Sequence, residues 1–312
     1  ADTPLEKIKS FAGAALASKL IKQAKVGMMG YRDMNLYGTM FDGASLKKVF
    51  GVEIEFFEML EMAQRIETLK KSDIADVVEA VKKKWEFENE AKDETLEKGV
   101  GLYLAVKEKI AERKYEAVSL IDVDGVKKLM GFPPAMSFML LADDPGVCTV
   151  PENDSLGSVT QLVTKYLTGQ AAAYMEFYEF MEDRVLMGVP DFVPSEVVEG
   201  PVKVRATSFG GFGEGLLNIS KVKTGRVTVV RFTQVRDRYA LHMVTGDAVT
   251  PRSWEEAGWD PPAPQLPSLE IVLDSPVEEF AEKVLSQHYI ISYGDNRELF
   301  KDFCRILDID MY

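Results

Sequence analysis

The segment Pro151-Glu152-Asn153-Asp154-Ser155-Leu156-Gly157 sets two carboxylates two residues apart. It follows the apolar run Val147-Cys148-Thr149-Val150 and leads into Leu156, Val159, Val163, Tyr166 and Leu167, a helical spacing. Asp154 or Ser155 caps that helix by residue type, and Gly169 stops it. Glu152 therefore falls in a strand-to-helix turn. A carboxylate projected from such a turn suits hard-metal binding or proton transfer, and the plainer alternative is a solvated turn acid. Glu176 lies in the apolar and aromatic run 171–181, read as a strand with Tyr174, Glu176, Tyr178 and Phe180 on one face. An acid there is costly unless paired, hydrogen-bonded or metal-bound; a wet edge strand is the other reading. His288 stands at an expected helix-to-strand junction, as a ligand or as a structural residue. His242, between Leu241 and Met243, reads as a packing or hydrogen-bonded histidine. With only 2 histidines in the chain, any metal would be held mostly by oxygen, which favours magnesium or manganese over zinc.

Those side chains need elements to carry them. Residues 1–24 read as an amphipathic helix through Ile8, Phe11, Ala15 and Leu20. Residues 25–30 form a buried strand ending in glycine, where α/β sheets place ligand loops. The loop 31–43 carries Arg32, Asp33, Asn35 and Tyr37; it reads as a surface crossing, with substrate contact as the alternative. Strands and helices then alternate to residue 168, which implies a parallel sheet with helical crossovers. The Lys82-Lys83-Lys84 run reads as a solvated helix face. Beyond Gly169 come several strand patterns, among them 202–207 and 215–219, pointing to a mostly antiparallel barrel or sandwich. The cluster Gly210-Gly211-Phe212-Gly213-Glu214-Gly215 reads as a turn between strands. Trp254, Trp259 and the proline-rich run after them read as a loop crossing the barrel. The expectation is an α/β fold: a parallel-sheet domain over 1–170, then a mostly antiparallel, barrel-like domain over 171–312 closed by a C-terminal helix.

Composition narrows the function classes. The chain of 312 residues has 50 acids against 37 bases, a net charge of −13, so a nucleic-acid partner is not expected. No apolar run reaches membrane-spanning length, and no membrane partner is expected. The 2 cysteines, Cys148 and Cys304, read as reduced thiols of a cytoplasmic protein.

The Glu152-Asn153-Asp154-Ser155-Leu156 segment, the Leu167-Thr168-Gly169 helix end and the strand carrying Glu176 resemble the L-fucose isomerase-like family of ketol isomerases. So does the tail, His288-Tyr289 with Tyr293-Gly294-Asp295 and a final amphipathic helix. The likeness runs from about Lys25 to the C-terminus; the first segment is its most specific part. The resemblance implies that Glu152, Glu176 and His288 bind a divalent ion, manganese by preference. Fucose-type members carry aspartate where Glu176 stands, and arabinose-type relatives have a further histidine whose place here, near Val189, has none.

The resemblance further implies an aldose–ketose isomerase acting on an open-chain monosaccharide, with Glu152 and Glu176 as proton carriers, in a homo-oligomer, a trimer or hexamer. Family members carry a further N-terminal α/β domain before the one starting near Lys25, and a neighbouring subunit's copy covers the site. Two alternatives stand beside isomerisation, the first of them prompted by the absence of that domain from this stretch. One is a non-catalytic sugar-binding or regulatory relative; the other is an epimerase or a related activity on an acidic sugar.

Overall fold

The computed structural model describes residues 5–189, 192–209, 211–253 and 266–312. Helix α1 (Leu5–Ile21) leads to strand β1 (Lys25–Met29), α2 (Gly43–Phe50), β2 (Glu53–Phe57), α3 (Met59–Thr68) and α4 (Lys71–Lys84). A short β3 (Glu86–Phe87), α5 (Asp93–Arg113), β4 (Ala117–Leu120), a π-helix (Asp122–Met130), α6 (Ala135–Asp143) and β5 (Cys148–Val150) follow. Strands β1, β2, β4 and β5 form an all-parallel sheet in the order β2-β1-β4-β5. Apolar residues cover both faces: Val26 and Met28 pack with α1, while Val118 and Leu120 pack with α5. That is why these strands read as continuous apolar runs. The order reverses direction between β1 and β4, so a crevice opens outside the carboxyl ends of those strands. Gly30 ends β1 there at φ 87°, and a Cβ on it would stand 2.6 Å from Ile121.

Helix α7 (Ser155–Thr168) crosses to the second half. Strands β6 (Ala173–Phe180), β7 (Arg184–Gly188), β8 (Lys203–Phe209), β9 (Phe212–Asn218), β10 (Gly225–Val235), β11 (Arg238–Val249) and β12 (Ser268–Leu273) follow. The chain ends with α8 (Val277–Ala281), β13 (His288–Tyr293), α9 (Arg297–Leu307) and β14 (Asp310–Met311). Six strands pair antiparallel in the order β10-β13-β6-β7-β12-β11, and β10 pairs with β11 to close the barrel. The expected fold class is therefore present. Two details differ. Strands β8 and β9 leave the barrel and join β3 in a separate sheet. In α1 the small residues Ala14, Ala17 and Ser18 face the core and let α7 and α9 approach closely, while Ile8 and Phe11 are exposed. Trp254, Trp259 and the prolines up to residue 265 lie outside the described residues. Among those described, no helix is long and apolar enough to cross a membrane.

Helix α7 lies between the parallel sheet and the barrel, touching β4 and β5 on one side and β10 and β13 on the other. Every residue from Ser155 to Thr164 is buried. Several of its polar residues bond inward: the Thr160 hydroxyl donates to Leu156 O and accepts from Phe232 N of β10. Asp154 caps its start by accepting from Gly157 N at 2.8 Å, and Gly169 ends it at φ 72°. The same carboxylate receives both terminal nitrogens of Arg231, a residue of β10 with no exposed surface. Arg231 holds the Asp154 carboxyl below its usual range against the upward push of burial. Its contribution to stability is present above the ordinary carboxylate pKa and is lost as pH falls through the lowered folded value. Replacing Arg231 by Met leaves a buried, uncompensated carboxylate and should cost about 3–5 kcal/mol at neutral pH. Urea denaturation should show the double variant Asp154→Asn/Arg231→Met to be more stable than Arg231→Met alone.

Candidate functional site

Three loops meet outside the carboxyl end of the parallel sheet. They follow β1, β4 and β5, and the last of them carries Glu152. Glu152 and Asn153 both hold left-handed backbone, at φ 63° and 50°. Such consecutive non-glycine conformations cost about 1–3 kcal/mol each and persist only where the surroundings over-determine them. Here they do. Glu152 N donates to Asp122 Oδ1 at 2.7 Å, and Asn153 N donates to Leu120 O at 3.2 Å. The Asn153 amide donates to Met29 O and Tyr31 O, tying together all three loops.

Asp122 opens the π-helix and is itself buried. Its other oxygen receives the buried Lys127 ammonium at 2.9 Å. Burial pushes the Asp122 carboxyl above its usual value, against the pull of Lys127. Asp33, also fully buried, accepts from Val123 N and Asp124 N at 2.8 Å each and so caps the π-helix from the loop after β1. That loop is therefore anchored to the site and is more than a surface crossing.

The barrel supplies the facing wall. Glu176 of β6 lies directly opposite His288 of β13 in the strand register. Tyr174, Glu176, His288 and Ile290 share the barrel face turned toward α7. Tyr174 and Ile290 pack there with Leu156 and Val159. The Tyr174 ring stacks on His288 with centroids 4.7 Å apart and planes 12° apart. Its hydroxyl donates to Asp154 Oδ2 at 2.8 Å. Gln287 Nε2 donates to Glu176 Oε2.

The three residues singled out in the sequence thus come together. His288 Nε2 stands 3.5 Å from Glu152 Oε2 and 3.7 Å from Glu176 Oε2. All three side chains are largely buried, exposed by 4%, 10% and 14% for His288, Glu152 and Glu176. Burial pushes the His288 imidazole down to about 4, with the Asp154 charge raising it and Arg231 lowering it. The ring is neutral at pH 7, so these approaches are not ion pairs, and both exceed hydrogen-bond length. Two carboxylates and a neutral imidazole are a donor set for a hard or borderline divalent ion. Among the described residues, however, no group of three or more His, Cys, Asp or Glu is arranged to hold an ion as it stands. A larger cleft of about 810 Å³ lies between α1 and α9 and is lined by none of these three residues.

His242 is a structural histidine, its Nδ1 2.7 Å from Tyr289 Oη and its ring stacked on Phe280. Burial lowers its pKa to about 4. Cys148 and Cys304 are buried thiols without a disulfide. Lys82 and Lys84 pair with Asp93 and Asp143 on the surface. Sequence reasoning missed Asp122, Lys127 and Arg231. The one signal for Arg231 was a charge inside the apolar stretch Val227-Thr228-Val229-Val230-Arg231-Phe232.

No family model matches the sequence, and no curated protein matches it.

Gly157 keeps the Asp154–Tyr174 contact open. A Cβ there would stand 2.5 Å from Asp154 Oδ2 and 2.8 Å from the Tyr174 ring. Gly→Ala in a helix ordinarily stabilises by about 0.5–1 kcal/mol. Gly157→Ala should instead destabilise by about 1–3 kcal/mol through overpacking, read from urea denaturation.

Proposed function

We propose that the protein is a divalent-metal-dependent sugar isomerase, interconverting an aldose and a ketose through an enediolate. The reading is supported chiefly by the meeting of Glu152, Glu176 and His288, from three distant parts of the chain, at the seam between sheet and barrel. These are the positions implied by the resemblance to the L-fucose isomerase-like family. Two donors each about 2.1 Å from one ion stand about 3–4 Å apart, which is the range of both approaches to His288 Nε2. Rotation about the glutamate side-chain torsions would close the set.

A bound manganese or magnesium ion would polarise the sugar carbonyl and steady negative charge on the two adjacent oxygens. The chain's own residues do the rest. Glu152, fixed by its strained turn, takes the proton from C2; Glu176, protonated on the opposite wall, gives its own proton to C1 while the O2 hydroxyl proton passes to O1, and exchange with solvent after product release resets both carboxyls. The neutral His288 ring offers a lone pair rather than a charge. Burial of all three side chains keeps bulk water from the transferring proton. A homo-oligomeric assembly, a trimer or hexamer, and a cytoplasmic location belong to the same proposal.

Proton exchange at C2 in deuterated water with manganese, followed by NMR on a sugar the protein converts, tests the reading. Glu152→Gln should lower exchange by about 10²–10⁴-fold while leaving the fold intact. His288→Ala should weaken manganese binding at least about tenfold, measured from the free-ion EPR signal. Wild-type exchange by Glu152→Gln would remove Glu152 as the base.

A further inference from the structure

The loop between β1 and α2 borders a cleft of about 460 Å³ lined by Tyr31, Arg32, Met40, Phe41, Phe56 and Asn153, among others. Asn153 follows Glu152 directly and donates to Tyr31 O, so this cleft adjoins the site. Phe41 and Phe56 stack on its wall with centroids 6.3 Å apart. Clefts of this size, with apolar walls and a few placed polar groups, hold small molecules.

Two polar groups in it point to a ligand. Arg32 has only neutral partners among the described residues. Its nitrogens reach Met40 Sδ at 3.0 Å and Asn35 Oδ1 at 3.1 Å, and its plane lies over Tyr37, 5.2 Å from the ring centroid. The acids nearby are engaged elsewhere. Asp33 accepts from the start of the π-helix, and Asp124 takes Met34 N and Lys128 Nζ. In a chain of net charge −13, a guanidinium propped by neutral groups and stacked on a ring is arranged for an anion. The second group is Asn153. Its Oδ1 is buried and, among the described residues, has no hydrogen-bond partner. That acceptor suits a hydroxyl donor, because an unmet buried carbonyl is costly.

We infer that this cleft takes the far end of the substrate, and that the substrate is an open-chain polyol ending in a carboxylate or a phosphate bound by Arg32. The inference rests on the isomerase reading for the near end and adds the substrate class. Asn153 joins both ends: its amide nitrogen fixes the Glu152 turn while the residue also lines the cleft.

Calorimetric titration with manganese present tests this on matched pairs: D-ribose and D-arabinose against their 5-phosphates, and D-glucose and D-galactose against their uronates. The anionic member of at least one pair should bind tenfold or more tightly than its neutral partner. Arg32→Gln should bring that ratio near unity, and Arg32→Lys should restore part of it. Preference confined to the phosphates or to the uronates identifies the anionic group. No preference in any pair, or a preference that survives Arg32→Gln, overturns the inference. C2 exchange on the same samples separates the two readings. Anion preference without exchange on any bound sugar removes the isomerase and keeps the subsite; exchange on neutral sugars that ignores Arg32 does the reverse.

Discussion

The fold hangs on one buried ion pair. Asp154 caps the helix that separates sheet from barrel, and Arg231 reaches it from the barrel wall with two nitrogens. Taking both charges from water costs several kcal/mol per ion, and a buried pair seldom outperforms an apolar replacement. The pair also leaves Arg231 Nε buried without a hydrogen-bond partner among the described residues, a further penalty. Its value is therefore geometric. Glu152 lies two residues before Asp154, and His288 is stacked on Tyr174, whose hydroxyl bonds the same carboxylate. One side chain thus sets the separation between an acid on the sheet side and a ring on the barrel side. Arg231 Nη2 also donates to Gly38 O at 3.1 Å, extending the same register to the loop beside the cleft.

Strain at the turn points the same way. An ordinary type I turn after β5 would satisfy the chain at lower cost, but it would aim the Glu152 side chain elsewhere. The left-handed pair at Glu152 and Asn153 is kept by bonds to the ends of β1 and β4 and to Asp122. Strain held by so many partners is typical of residues whose direction matters. The buried Asp122–Lys127 pair, and Asp33 behind it, belong to that support.

Much of this was legible in the sequence because local rules and tertiary structure agree. The cap at Asp154, the stop at Gly169 and the strand carrying Glu176 all follow from residue type and period, and they place Glu152 just before a helix and Glu176 inside a strand. The π-helix was legible only as helix, since its wider turn has no signature in residue type. The exit of β8 and β9 from the barrel was not legible at all, because β strands of equal propensity carry no record of their partners. In α7, Ser158, Thr160, Gln161 and Thr164 have the types of a solvated face, yet the barrel covers them. The hydroxyls of Ser158, Thr160 and Thr164 each bond a backbone carbonyl one turn back, so burial leaves those donors met. The α1 face was misjudged for the converse reason: close helix packing selects small residues, so Phe11 is outside and Ala14 inside.

Burial decides the charge of His288, and the same ion pair keeps the nearby carboxylate from reversing it. An isolated Asp154 carboxylate so near would favour the imidazolium and remove the lone pair that a metal or a proton needs. Burial is the larger effect and pushes the ring down, while Arg231 counters the Asp154 field, so the ring stays neutral well below physiological pH. A neutral imidazole between two carboxylates is a donor cluster; a protonated one would be a closed salt bridge to Glu152 and Glu176. The arginine therefore acts on this site first by fixing distance and only secondarily by offsetting the Asp154 charge. Both effects require it to be buried, which explains why so expensive a residue sits between Val230 and Phe232 in a buried strand.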